Sequence, residues 1–164
     1  MPKKTTDAAA LALLRHTVAT LAYRGAKALR GTPAGFAQFR VGETTRRPGE
    51  ILAHLGDLFE WALTKANGAE KWRSSSPLTW EKGCDRFFAA IKAFDARIAS
   101  RKPLACSAEE VFQGPIADAL THVGQISMLR RLAGAPVRGE NYAKAKIRIG
   151  RVGSRQARPG FEFG

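Results

Sequence analysis

Asp118 and His122 stand four residues apart in Pro115-Ile116-Ala117-Asp118-Ala119-Leu120-Thr121-His122-Val123-Gly124-Gln125-Ile126. On a helix that spacing puts a carboxylate and an imidazole one turn apart, close enough to converge on one ion. A 3.6-residue winding gathers Asp118, His122, Gln125 and Leu129 within about one quarter of the circumference, roughly opposite the stripe of Ile116, Leu120 and Val123. A third ligand must come from another element, and His54, on the shoulder of an apolar face near Leu58 and Trp61, is the other well-placed imidazole. Two neutral imidazoles and one carboxylate leave positions open on a divalent ion. That is the pattern of catalytic zinc, and the same donors suit iron, nickel or manganese. Plainer readings use the same residues: a solvated i,i+4 ion pair for Asp118 and His122, and a hydrogen-bonded core histidine for His54. Gln125 reads equally as support for His122 or a substrate contact and as a hydrogen bond within the fold. Trp61 reads as packing or as a pocket wall, and His16 as surface.

Four helices are expected to carry these residues. Leu11, Leu14, Val18, Leu21, Gly25 and Leu29 repeat at helical spacing over about 8–30, ending at Gly31-Thr32-Pro33. Pro48 suits the first turn of a second helix over 48–67 that buries Ile51, Leu52, Leu55, Leu58, Phe59 and Ala62 and stops at Asn67-Gly68. A polar loop through Ser74-Ser75-Ser76-Pro77 leads to a third, 78–101, striped by Trp80, Cys84, Phe87, Phe88, Ile91, Phe94 and Ile98. Gly114-Pro115 is read as the opening of a fourth, 115–133. Helices of this length make an all-α four-helix bundle over residues 1–136. The connection from Gly31 to Arg47 is long enough to cross it, so strict up-down order is not required. Strand signals are weak throughout.

The 164 residues suit one domain, and charges break every apolar run too early for a membrane span. Basic residues before the alanine-rich start look superficially like a leader, but Arg15 and His16 interrupt the run, so Met1-Pro2-Lys3-Lys4-Thr5-Thr6-Asp7 reads as a helix start. Lys and Arg number 27 against 14 Asp and Glu, a net charge of +13. Residues 137–164 form a basic C-terminal arm, packed on the bundle or partly disordered. There Arg138, Lys144, Lys146, Arg148, Arg151, Arg155 and Arg158 stand against Glu140 and Glu162. Cys84 and Cys106 lie far apart with no Cys-x-x-Cys, so Cys84 is expected in the core, unbridged, in a reducing, cytoplasmic setting.

The order of parts, with Arg47-Pro48-Gly49-Glu50-Ile51-Leu52-Ala53-His54-Leu55 opening the second helix and Asp118-Ala119-Leu120-Thr121-His122-Val123-Gly124-Gln125-Ile126 in the fourth, resembles the DinB-like superfamily. These are four-helix-bundle metalloproteins, among them thiol-dependent transferases and mycothiol-dependent maleylpyruvate isomerases. The resemblance covers about residues 8–134. It implies one metal histidine from the second helix, His54, and two ligands four apart in the fourth, Asp118 and His122. The commonest pattern has histidine where this chain has Asp118, whereas the isomerase branch uses a carboxylate there.

The expected function follows from the ion and the resemblance together: a metal-dependent transferase or isomerase acting on a small molecule. An open divalent site lowers the pKa of a bound thiol or water, or polarises a carbonyl. The resemblance favours a low-molecular-weight thiol as co-substrate. Two rivals stand beside it, a non-catalytic helical binding or scaffold protein, and a nucleic-acid-binding protein using its basic surface. Without a groove-reading motif, the charge supports only weak, non-specific binding. Bundles of this type can pair through an exposed helix face, which leaves a homodimer open.

Overall fold

The computed structural model describes residues 7–164, so the leader-like residues 1–6 lie outside it. Helix α1, Ala8–Leu29, starts on Asp7, whose carboxylate accepts from the Ala9 N–H at 3.2 Å. It stops ahead of Gly31, which has φ of 61°, a left-handed turn that glycine adopts without strain. Helix α2, Pro48–Ala66, has proline at its first position, and the Glu50 carboxylate accepts from the Arg47 N–H at 2.7 Å. Helix α3, Trp80–Ala99, is capped by Thr79 and falls two residues inside each expected end.

The expected start of the last helix is corrected. Helix begins at α4, Ala108–Val111, passes through a π-helical turn at Phe112–Ile116 and continues as α5, Ala117–Leu132. The start signal is a reciprocal cap: Ser107 Oγ accepts from the Glu110 N–H at 3.2 Å, and Glu110 Oε2 accepts from the Ser107 N–H at 2.8 Å. Pro115 therefore lies inside the run. It has no N–H to give and its ring crowds the carbonyl one turn back, so the wider π turn absorbs it.

The long helices form a ring in which α1 and α2 each pack against both α3 and α5. Helices α1 and α2 face each other across the ring, so the Gly31–Arg47 connection does cross the bundle, bearing a short 3₁₀ turn at Phe36–Gln38. Inside, the stripes expected on α1 and α2 close over Phe87, Ile91, Phe94 and Ile98 of α3 and Ile126 of α5. The Phe59 ring lies 6.1 Å from Phe87 and 5.9 Å from Phe94. Gly25 admits Phe87, since a Cβ there would sit 3.1 Å from its ring. Arg15 forks onto Asp95 with two bonds of 2.9 Å, tying α1 to α3. Cys84 is half-buried rather than fully buried, and both cysteines are free. Burial pushes the Cys84 thiol up to about 12.

Residues 137–164 hold a 3₁₀ turn at Tyr142–Lys144 and a two-residue antiparallel ribbon, β1 (Gly139–Glu140) with β2 (Glu162–Phe163). The fold is thus mostly helical, with no larger sheet among the described residues. Among the described residues no helix is long and apolar enough to cross a membrane.

Candidate metal centre

The π turn decides where Asp118 and His122 point. It inserts one residue into the helical winding just before α5, which rotates everything after it by about 100° relative to an unbroken helix. Asp118 follows two residues later. The Gly114-Pro115 pair that made the turn invisible as helix is also what packs it: Trp61 of α2 lies against Gly114, where a Cβ would be 3.5 Å from the indole.

His54, Asp118 and His122 are brought together from α2 and α5, with one ligand atom of each lying within 4.8 Å of the others. His54 Nε2 is 3.1 Å from Asp118 Oδ2, and His122 Nε2 is 3.4 Å from Asp118 Oδ1. The two imidazoles meet edge to face, with centroids 4.7 Å apart. His122 is buried, while His54 and Asp118 are half-buried. His16 is exposed on α1, away from this group.

Gln125 orients the set. Its Oε1 lies 2.8 Å from His122 Nδ1. With the amide so placed, Nδ1 carries a proton and donates, and the neutral ring then keeps its lone pair on Nε2. That lone pair faces an oxygen of Asp118, acceptor against acceptor, an arrangement that a cation between them relieves. Ligands at 2.0–2.2 Å around a tetrahedral ion are about 3.3–3.6 Å from one another, and here the imidazoles stand 3.1 Å and 3.4 Å from the two oxygens of Asp118. The donors therefore fit a divalent ion, with one negative charge and two neutral nitrogens in the set.

The group opens into a cavity of about 630 Å³ whose other walls are Thr45, Arg46, Ile51, Met128 and Leu129. Arg46 makes no ion pair among the described residues. Trp61 is absent from this lining and sits one layer out, its Nε1–H donating to Glu70 at 2.9 Å. The aromatic beside the site is Trp72, 5.5 Å from the His54 ring and 5.7 Å from Trp61. Nothing in the sequence around Trp72 marks it, because it stands in a polar connection without periodicity. Asp57 of α2 pins that connection, accepting from the Ser75 N–H at 2.9 Å and from Arg86 at 2.6 Å. Burial works to raise the Asp57 pKa, but the Ser75 hydrogen bonds and the Arg86 guanidinium outweigh it and hold the carboxyl below its ordinary value.

Comparison with family models, with curated proteins and with solved structures finds no match to this chain. The reading of the site therefore rests on its own geometry. That geometry offers a three-donor, water-accessible cation site at the wall of a cavity large enough for a small molecule. No cysteine lines the cavity, so a thiol that meets the ion has to arrive on a small molecule.

Proposed function

We propose that the protein is a divalent-metal-dependent enzyme of DinB-like type, a thiol-dependent transferase or isomerase for a small-molecule substrate, with His54, Asp118 and His122 as the metal ligands. The observation that carries this reading is the convergence of His54, Asp118 and His122, whose ligand atoms lie within 4.8 Å of one another at the wall of a cavity.

An ion held by these three ligands with open positions supplies an acidified thiol or water at neutral pH. The chain's own groups do the rest. Gln125 fixes the ring of His122 and strengthens it as a donor. Arg46, on the rim with no carboxylate of its own, offers a cation to an anionic part of whatever enters. Ile51, Met128 and Leu129 give the cavity an apolar side that lowers the local dielectric.

The test is elemental analysis and zinc titration of tag-free protein. One equivalent of divalent metal, lost in His122→Ala with helix content retained, supports the reading. A protein that binds no divalent metal in either form removes it and leaves a non-catalytic bundle. Assay of the loaded protein with a panel of low-molecular-weight thiols then separates transfer from hydrolysis.

A further inference from the structure

The basic arm has two acids, and both are turned inward. Glu140 and Glu162 are register partners on the ribbon, and both reach Lys27 of α1, whose Nζ is 2.7 Å from Glu140 Oε2 and 2.9 Å from Glu162 Oε1. The Tyr23 hydroxyl donates to Glu140 Oε1 at 2.6 Å. What remains outside is cationic and aromatic. Arg24 lies 4.1 Å over the Tyr142 ring, Lys144 lies 5.6 Å from the centre of Phe161, and Arg138, 3.8 Å from Glu162 Oε2, keeps its side chain 60% exposed.

Beside the ribbon a cavity of about 410 Å³ gathers Lys27, Arg30, Arg130 and Arg138 against the single carboxylate of Glu162. Arg130 is buried and has no acid partner among the described residues. Its guanidinium donates to the carbonyls of Ala28, Arg30, Gly31 and Ala135, closing the C-terminal end of α1. Its charge meets carbonyl dipoles and no carboxylate. Phe161 and Phe163 flank Glu162 in sequence and are 43% and 60% exposed. Phe163 lies flat enough on Gly139 that a Cβ there would collide with its ring, which leaves its outer side to solvent.

We propose that this face binds single-stranded nucleic acid without regard to sequence, with phosphates on Arg30, Arg138 and Lys144 and bases stacked on Phe161 and Phe163. Cations beside exposed ring faces are the recurring means of holding unpaired bases and their backbone. A two-residue ribbon is too short to enter a duplex groove, and splayed rings have nothing to stack on in paired DNA. A lipid surface also takes exposed rings beside cations, and vesicle binding is the competing outcome of the test.

The test is fluorescence anisotropy of the full tag-free chain with labelled oligothymidylate and with a duplex of equal length, at low and at physiological salt. The single strand binds more tightly, and Phe161→Ala with Phe163→Ala weakens it at least about fivefold per ring while leaving duplex binding unchanged. Arg138→Glu with Lys144→Glu weakens both and lowers the salt slope by about one to two. Should the double alanine variant disturb the ribbon, Phe163→Leu keeps an apolar cover on Gly139 without the aromatic face and gives the same selective loss, and Phe163→Trp restores binding. Equal affinity for duplex and single strand with no effect of the rings overturns the proposal, as does binding only to phosphatidylserine vesicles or to neither.

Discussion

The Lys27 charge is answered from within the chain: Glu140 and Glu162 hold the ammonium, Tyr23 donates to the remaining oxygen of Glu140, and the side chains of Lys27 and Glu140 are 4% and 0% exposed. Around Asp118 the two imidazoles reach its two oxygens at 3.1 Å and 3.4 Å, His122 is held from its other side by Gln125, and the cluster stands open to a cavity. Both are polar groups set into a helical bundle, and on α5 His122 precedes Arg130, which shares a cavity with Lys27, by little more than two turns. The first cluster is finished by folding; the second, on the function proposed above, is finished by a cation. Stability and binding should accordingly separate between them.

The largest effect expected is on the closed cluster. Glu140→Ala leaves Lys27 buried with Glu162 as its one remaining acid and takes the acceptor from Tyr23, at a cost of about 3–5 kcal/mol. Urea unfolding of the metal-free protein measures this, and zinc stoichiometry of the folded fraction should not change. A variant as stable as the parent would mean that the arm docks without its buried pair.

The converse holds at the open cluster. His122→Ala and His54→Ala should each abolish stoichiometric zinc, read by titration and elemental analysis, with the far-ultraviolet circular dichroism of the metal-free protein kept. Removing a ligand need not remove the core, which here is built from Phe59, Phe87, Phe94 and their neighbours. Loss of helix in these variants would show the cluster to be structural and erase the contrast. Gln125→Leu is milder, with a loss of about 10- to 100-fold in zinc affinity. An unchanged affinity would reduce Gln125 to an ordinary hydrogen bond.

The two clusters also differ in how far they could be read from the sequence. Asp118 and His122 are four residues apart on a helix, so local periodicity brings them together, and His54 stands at the edge of an apolar stripe whose direction is set by Ile51, Leu55 and Leu58. Lys27 and Glu140 are 113 residues apart, with nothing local to relate them, and Glu140 sits in a stretch whose composition looks solvated. Periodicity likewise gave the four long helices, and the connection that crosses the bundle, from loop length. It failed at Gly114-Pro115, because proline after glycine is a common way to begin a helix, and only the Ser107–Glu110 cap upstream shows that one is already under way. Trp72 was illegible for another reason. Its place beside His54 depends on Asp57 gripping the backbone at Ser75, a tertiary contact between α2 and a connection with no pattern of its own.

That grip supplies the smallest effect and a third term for the comparison, a carboxylate held by a fixed cation rather than by imidazoles. The folded-state pKa of Asp57 is held down, so its contribution to stability is present above the ordinary carboxylate range, about 4, and is lost as pH falls through the folded value. At pH 7 the parent should melt above Asp57→Asn, and the gap should close as the pH is lowered below about 4, where the unfolded carboxylate is already protonated. The reverse trend, a gap that widens on acidification, would mean that burial dominates at Asp57 and that Arg86 does not hold it ionised. Because the same carboxylate anchors the connection bearing Trp72, Asp57→Asn should also increase quenching of Trp72 fluorescence by acrylamide at neutral pH, with Trp61→Phe and Trp80→Phe as the background that isolates Trp72. Zinc stoichiometry should stay at the parental value, since His54, Asp118 and His122 are carried by α2 and α5 and not by the connection. A fall in stoichiometry would instead make Trp72 part of what holds His54 in place.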